Sequence, residues 1–297
     1  GDLLSSIGSN LDGIIPLRDD ISYDEFLAEM KKADSLIGGG SKYSDTYLVD
    51  NFGLVPITYE EAVDSYNLTK DIDRFTGGYA RLFSDYTLIL LSILPVFLAI
   101  AICLKDKRPG IHDLIYSRNA SSIRIVISRY SAIITAVMVP TVALAYFSNI
   151  SIWSMYNGMS LDYLAPLKYC FGWILPSVMT VVALGMFLSE LTNTAIAVGI
   201  QGLWWFIDIN VGAKSVDGHY DLLSLIPRHN TLQNTQAFID NFDNLVTNRL
   251  LFAGLGILLI IATVIVYEQK RRGRLNGLGK NKESFAGLED SKDEYAA

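Results

Sequence analysis

Apolar residues in this chain are gathered into blocks. From residue 86 onward they form five runs: Tyr86–Leu104, Tyr130–Phe147, Leu167–Leu188, Ala195–Ile209 and Leu250–Tyr267. Most are near the roughly 20 residues that cross a hydrocarbon core about 30 Å thick. The pattern predicts an all-α polytopic membrane protein with about five transmembrane helices in this chain. Pro95, Pro140 and Pro176 fall inside the first three runs. Each removes a backbone donor, so each predicts a kink that neighbouring helices must accommodate.

Residues 1–85 follow a different pattern and predict a small, soluble, mostly helical segment. Ser22 and Glu25 have the spacing of a capping box, and Phe26, Leu27, Met30, Ala33, Leu36 and Ile37 follow at helical intervals. Gly38-Gly39-Gly40 ends that helix. A second capping box, Thr58 to Glu61, starts another. The glycine triplet is not a phosphate loop, because no strand precedes it and Lys42 lacks the Gly-Lys-Ser/Thr setting. Among the later connections, 210–248 is the longest, with the apolar piece Leu222–Pro227 and an amphipathic helix expected over Thr235–Val246. The domain reading is therefore 1–85 soluble, 86–267 transmembrane and 268–297 a polar tail.

Composition agrees with that division. Charged residues make up 19% of the chain, against about 25% in ordinary soluble domains, and mean hydropathy is +0.30. The net charge of −7 conceals an asymmetry. Residues 1–85 hold 16 acids and 7 bases, while 105–129 hold 6 bases and 2 acids. Those bases are Lys105, Lys107, Arg108, Arg118, Arg124 and Arg129. A second basic cluster, Lys270, Arg271, Arg272 and Arg274, abuts the last run. Short loops rich in Lys and Arg stay in the cytoplasm. Both clusters fit one topology, with residues 1–85 extracellular and the C-terminus cytoplasmic in a multi-pass protein of the cell membrane. Nothing in residues 1–85 would carry them across, so a first membrane helix is expected before Gly1, giving six spans in all. The asymmetry fits a lipid bilayer partner and no nucleic acid.

Catalytic signals are sparse. There is no phosphate loop, His112, His219 and His229 lie in separate polar segments, and no Gly-x-Ser-x-Gly or metal spacing occurs. Cys103 and Cys170 predict small buried side chains, not a disulfide. No catalytic, cofactor-binding or metal residues are assigned. Glu190 and Asp208 come closest to lying within runs, and both are expected at water-accessible helix ends. With no buried charge, an ion-coupled transporter is disfavoured, and the lack of a polar cluster disfavours an intramembrane enzyme. Gly185, Gly199, Gly202, Gly254 and Gly256 predict close helix packing. Ile111, Leu114 and Ile115 form an apolar face on the basic loop beside His112 and Asp113, which suits a docked partner.

Order and spacing across residues 80–275 resemble the type-2 ATP-binding-cassette (ABC) exporter permeases. Lys107–Ser117 followed by Ser121–Tyr130 resembles their cytoplasmic coupling loop. Pro176–Ser189 resembles their fourth span, Leu225–Arg228 the apolar piece of their last outer loop, and Asn248–Leu258 running on to Arg272 their last span and exit. The resemblance implies a permease subunit without ATPase motifs of its own, in which ATP is bound by a partner. It implies two partners: a cytoplasmic ABC ATPase docking on Gly110, Ile111, His112, Asp113, Leu114, Ile115, Tyr116 and Ser117, and a second permease subunit. It departs from the family at Arg108-Pro109 and at Arg118-Asn119-Ala120. The alternative expectation is a non-transporting membrane sensor or anchor whose extracellular segment binds a ligand.

Overall fold

The computed structural model describes residues 21–44, 58–105, 115, 119–212 and 218–275. The chain divides into two compact units, Gly1–Ala62 and Val63–Ala297. In the first, helix α1 (Tyr23–Leu36) begins with the predicted capping box. The Ser22 Oγ accepts from Glu25 N–H at 3.3 Å, and the Glu25 carboxylate accepts from Ser22 N–H at 3.1 Å. Phe26 and Met30 are buried against Ile21, Leu27 and Tyr43, whereas Leu36 and Ile37 stay exposed. All three glycines 38–40 have positive φ, the conformation that stops a helix. Helix α2 (Tyr59–Asp71) crosses the unit boundary and has the second predicted box, with Glu61 accepting from both Thr58 N and Oγ1 at 2.9 Å.

Among the described residues the second unit is mainly helical, with one isolated antiparallel bridge between His219 and Arg228. Its helices are α3 (Thr76–Leu91), α4 (Leu94–Lys105), α5 (Ser122–Met155), α6 (Ala165–Thr192), α7 (Ile196–Gly212), α8 (Thr235–Asp240) and α9 (Phe242–Arg271). Among the described residues α5, α6 and α9 are long and apolar enough to cross a membrane, and α3 with α4 makes a fourth candidate if the bent pair counts as one span. Helix α7 is apolar but has 17 residues, about 25 Å at 1.5 Å per residue. The chain is therefore compatible with a helical, multi-pass membrane protein.

Helix α6 is the centre. It packs on α9, α4, α7 and α5, and 61% of its most apolar window is buried against 28% for α5 and α9. Small residues permit the two closest crossings. A Cβ on Gly256 of α9 would lie 3.1 Å from Met179 C and 3.2 Å from Thr180 N, both backbone atoms of α6. A Cβ on Gly185 would lie 2.9 Å from Ala99 Cβ of α4. Thr180 Oγ1 adds a hydrogen bond to Phe252 O at 2.6 Å. Before Pro176, which has no N–H to give, α6 widens into a π turn over Cys170–Ile174.

Several expected boundaries shift. The helix that starts at Thr76 runs through position 85, so the polar stretch before the first run is part of the helical bundle. That run is not one helix kinked at Pro95. It breaks at Ser92–Ile93 with a 41° bend, and Pro95 sits in the first turn of α4, where a missing N–H costs nothing. The carbonyls freed by the break are held from α7: Gln201 Nε2 donates to Ser92 O at 2.6 Å and Trp205 Nε1 to Ile89 O at 2.7 Å. Helix α5 begins at Ser122, capped by the Ser121 hydroxyl, and continues past Phe147 to Met155. Arg124 and Arg129 are thus helical, not loop residues. The stretch expected as one helix over Thr235–Val246 divides at Asn241 between α8 and α9. Gly199, Gly202 and Gly254 have no neighbour within 4 Å of a built Cβ, so they do not mediate packing in this chain. Cys103 and Cys170 are both buried, and neither is in a disulfide.

The two kinds of glycine make a paired prediction. Gly256→Ala forces α6 and α9 apart and should cost about 1–3 kcal/mol by overpacking. Gly254→Ala enters open space and should change stability by under about 0.5 kcal/mol. Thermal unfolding of both variants in detergent checks this.

Candidate functional site

Two polar regions lie at opposite ends of the bundle. At the end where α3 begins and α9 begins, a loop over 218–234 turns inward ahead of α8. Ser224, Leu225, Ile226, Pro227, Arg228 and His229 are all buried. A non-helical segment at such depth has peptide groups that a helix would satisfy internally, so each needs another partner. Asp208, near the end of α7, accepts from Ile226 N at 2.7 Å, Leu225 N at 3.2 Å and Ser224 Oγ at 3.2 Å. Ser177 of α6 donates to Leu225 O at 2.6 Å. Asn248 Nδ2 of α9 donates to Asp221 O, Leu222 O and Ser224 O at 2.7–2.9 Å. Arg249 donates to Trp173 O at 2.9 Å, Ser177 Oγ at 2.8 Å and Ser224 O at 3.2 Å.

Two ion pairs brace the same loop. Arg81 binds Asp73 in a two-pronged pair, both contacts at 2.9 Å, and Thr235 Oγ1 donates to Asp73 at 2.7 Å. The Arg81 guanidinium also lies 4.7 Å from the Phe238 ring centre, a favourable cation–π placement. Asp85 meets Arg228 at 2.5 Å and accepts from Asn230 N at 2.9 Å. Asp73, Arg81, Asp85, Asp208, Arg228 and Arg249 are each more than nine-tenths buried. Three carboxylates face three guanidiniums, so the cluster is balanced in formal charge. Isolated, each would carry a desolvation cost of several kcal/mol.

His229 has an inferable tautomer. Its Nε2 lies 2.7 Å from Gln233 O, which can only accept, so Nε2 carries the proton. Nδ1 then accepts from the Tyr220 hydroxyl at 2.5 Å. Burial, reinforced by the positive charge of Arg81, pushes the imidazole down to about 4. Burial likewise raises the Tyr220 phenol.

At the other end the described start of α5 meets the end of α9, where the second basic cluster lies. Arg271 donates to Ala120 O at 2.5 Å, Ser122 donates to Glu268, and Arg272 pairs with Glu268 at 2.6 Å. Lys270 donates to Glu190 O and, at 2.7 Å, to Asn193 Oδ1. Asn193 has the left-handed conformation that ends α6. The Arg129 guanidinium lies 5.8 Å from the Tyr267 ring centre. Lys105 closes α4 and Arg274 follows α9. Of the predicted docking segment only Ile115 is described, as helical and half-buried. Gly110, Ile111, His112, Asp113, Leu114, Tyr116 and Ser117 lie outside the described residues, as do Lys107, Arg108 and Arg118.

Three sequence-based expectations are overturned. Asp208 is buried and committed to the inserted loop, not exposed at a wet helix end. Glu190 is 3% exposed. The bundle also contains buried charges, and a polar cluster, where the runs suggested none. Arg81 and Asp85 were hidden because they precede the first run, Arg249 because it abuts the last one, and Arg228 because it lies in the long connection between the last two. The available signal was opposite charges at the margins of separate apolar runs. Among the described residues no group of three or more His, Cys, Asp or Glu is placed to hold a metal ion.

Two predictions test this cluster. Arg228→Met strands the Asp85 charge and should cost about 3–5 kcal/mol, while adding Asp85→Leu should recover much of that loss. Additive losses in thermal unfolding would contradict the pairing. For His229 the unfolded ring takes up a proton near its ordinary 6.5, whereas the folded ring resists until about 4. Stability should therefore fall as pH drops through that window, because the unfolded state binds more protons there. His229→Gln should flatten the fall in a pH series of melting temperatures. In comparisons with known proteins, no family model, no curated protein and no solved structure matches this chain.

Proposed function

We propose that this chain is the membrane-spanning permease subunit of an ATP-driven ABC exporter, working with a separate cytoplasmic ATPase and a second permease subunit. The observation that carries the reading is the position of the buried loop Ser224–His229. It enters the bundle just before the last long helix, at the end opposite the second basic cluster. That is where the resemblance puts the inserted outer piece of such permeases.

The helix directions support the same reading. Counting the bent α3–α4 pair and the short α7 as crossings gives five passes, with the basic clusters at one end. The positive-inside bias turns that end to the cytoplasm and the segment before α3 outward. In the proposed mechanism, the ATPase grips the segment Gly110–Ser117 between α4 and α5. Closure of the ATPase dimer does work only if the ATPase binds one arrangement of the helices more tightly than the other. Lys105 at the end of α4 and Ser121 at the start of α5 connect that grip directly to two helices packed on α6. The Ser92 break and the π turn over Cys170–Ile174 supply places for the bundle to bend.

The experiment is co-purification of the membrane protein with the ATPase encoded beside it, using Leu114→Asp and Ile115→Asp. Each charge placed in a buried apolar contact should lower ATPase recovery at least about tenfold and abolish ATP-driven export, while the melting temperature is kept. Unchanged recovery and unchanged export would refute the proposal.

A further inference from the structure

The basic end has a groove that the permease reading does not use. It lies between the first turn of α5 and the last two turns of α9 and is an open groove of about 530 Å³. One flank is apolar, made by Ile123, Val264 and Ile265. The other is polar, made by Ser121, Gln269, Arg271 and Arg272 with Glu268 between them. We propose that this groove binds the headgroup and upper acyl chain of an anionic phospholipid.

Charge argues for an anion. Two guanidiniums face one carboxylate, and that carboxylate already accepts from Ser122 and Arg272. Among the described lining residues the formal surplus is therefore positive, and the dipoles at the start of α5 and the end of α9 offset one another. Arg271 is anchored on Ala120 O at 2.5 Å, so the charge is held in place instead of moving freely on a flexible stem. The apolar flank argues for a lipid over a soluble anion. Ile123 and Ile265 are both more than half exposed, and they continue into the exposed apolar surfaces of α5 and α9 at Ile127 and Ile261. A phosphate resting on Arg271 and Arg272 would have its glycerol beside Gln269 and its chain along the isoleucines. Basic pockets between membrane helices at the cytoplasmic face suit such headgroups. The inference rests on the helices spanning a membrane and is independent of the permease reading.

The test uses the full chain purified in neutral detergent with equal amounts of phosphatidylglycerol and phosphatidylcholine, read by native mass spectrometry. The expected result is phosphatidylglycerol retained about fivefold over phosphatidylcholine, the worth of about one basic contact. Gln269→Glu places a negative charge in the groove without removing any hydrogen bond of its side chain, and should bring the two lipids to parity with the melting temperature unchanged. Arg272→Gln, at an exposed ion pair of little structural weight, should act in the same direction. Equal retention by the native chain, or a preference that survives both substitutions, overturns the site. Thermal stabilisation by inorganic phosphate matching that by phosphatidylglycerol overturns the lipid and assigns the groove to a free anion.

Discussion

A non-helical loop buried inside a helical bundle must have every peptide group answered by something else. This requirement organises the charged end of the molecule. The N–H groups of Leu225 and Ile226 turn to Asp208, and the carbonyls of Asp221, Leu222, Ser224 and Leu225 turn to Asn248, Arg249 and Ser177. Those side chains must themselves be buried, and the two charged ones raise a second demand, for compensation of charge. The Asp73–Arg81 and Asp85–Arg228 pairs extend the same logic to the start of α3. Between Asp73 and α3, Arg74 and Phe75 both adopt positive φ, a conformation that costs ordinary residues free energy. Phe75 is buried there and stacks on Tyr156 at 4.5 Å.

The centre of the bundle follows a different rule. Helix α6 meets its neighbours through shape, with Gly185 and Gly256 allowing backbones to approach and few polar groups involved. The two ends of this helix are then polar for separate reasons. Its beginning supplies Ser177 to the inserted loop, and its final turn is closed by Lys270 from α9.

Local chemistry was the most legible part of the sequence. Both capping boxes and the glycine stop depend on residues within four positions of one another, and all appear as read. The long apolar runs also become helices, since 3.6-residue periodicity is not needed when a helix is apolar all round. Helix ends were harder. Polar residues at 76–85 and 122–129 continue helices because tertiary partners, such as Asp73 for Arg81 and Glu268 for Ser122, make their burial acceptable. The charges that brace the inserted loop were not legible, because they lie outside or at the ends of the apolar runs and most of their contacts are distant in sequence: Asp85 and Arg228 are more than a hundred residues apart, although Asp73 and Arg81 are separated by eight. Hydropathy averages along the chain, whereas these groups are balanced only across it. The basic clusters were legible as charge, but the contact between Arg271 and Ala120 O was not.

The inserted loop also constrains the order in which this end is built. Asp208 precedes the loop and is present as soon as α7 is made. Asn248 and Arg249, the donors that answer Ser224 O, come 24 and 25 residues after it. Until α9 is in place, the carbonyls of Asp221, Leu222 and Ser224 lack these donors, whereas Leu225 O already has Ser177 of α6. The amide groups of Leu225 and Ile226 can therefore settle on Asp208 before the preceding carbonyls are answered. The arrival of Asn248 and Arg249 completes the seal, so this end closes from its middle outward.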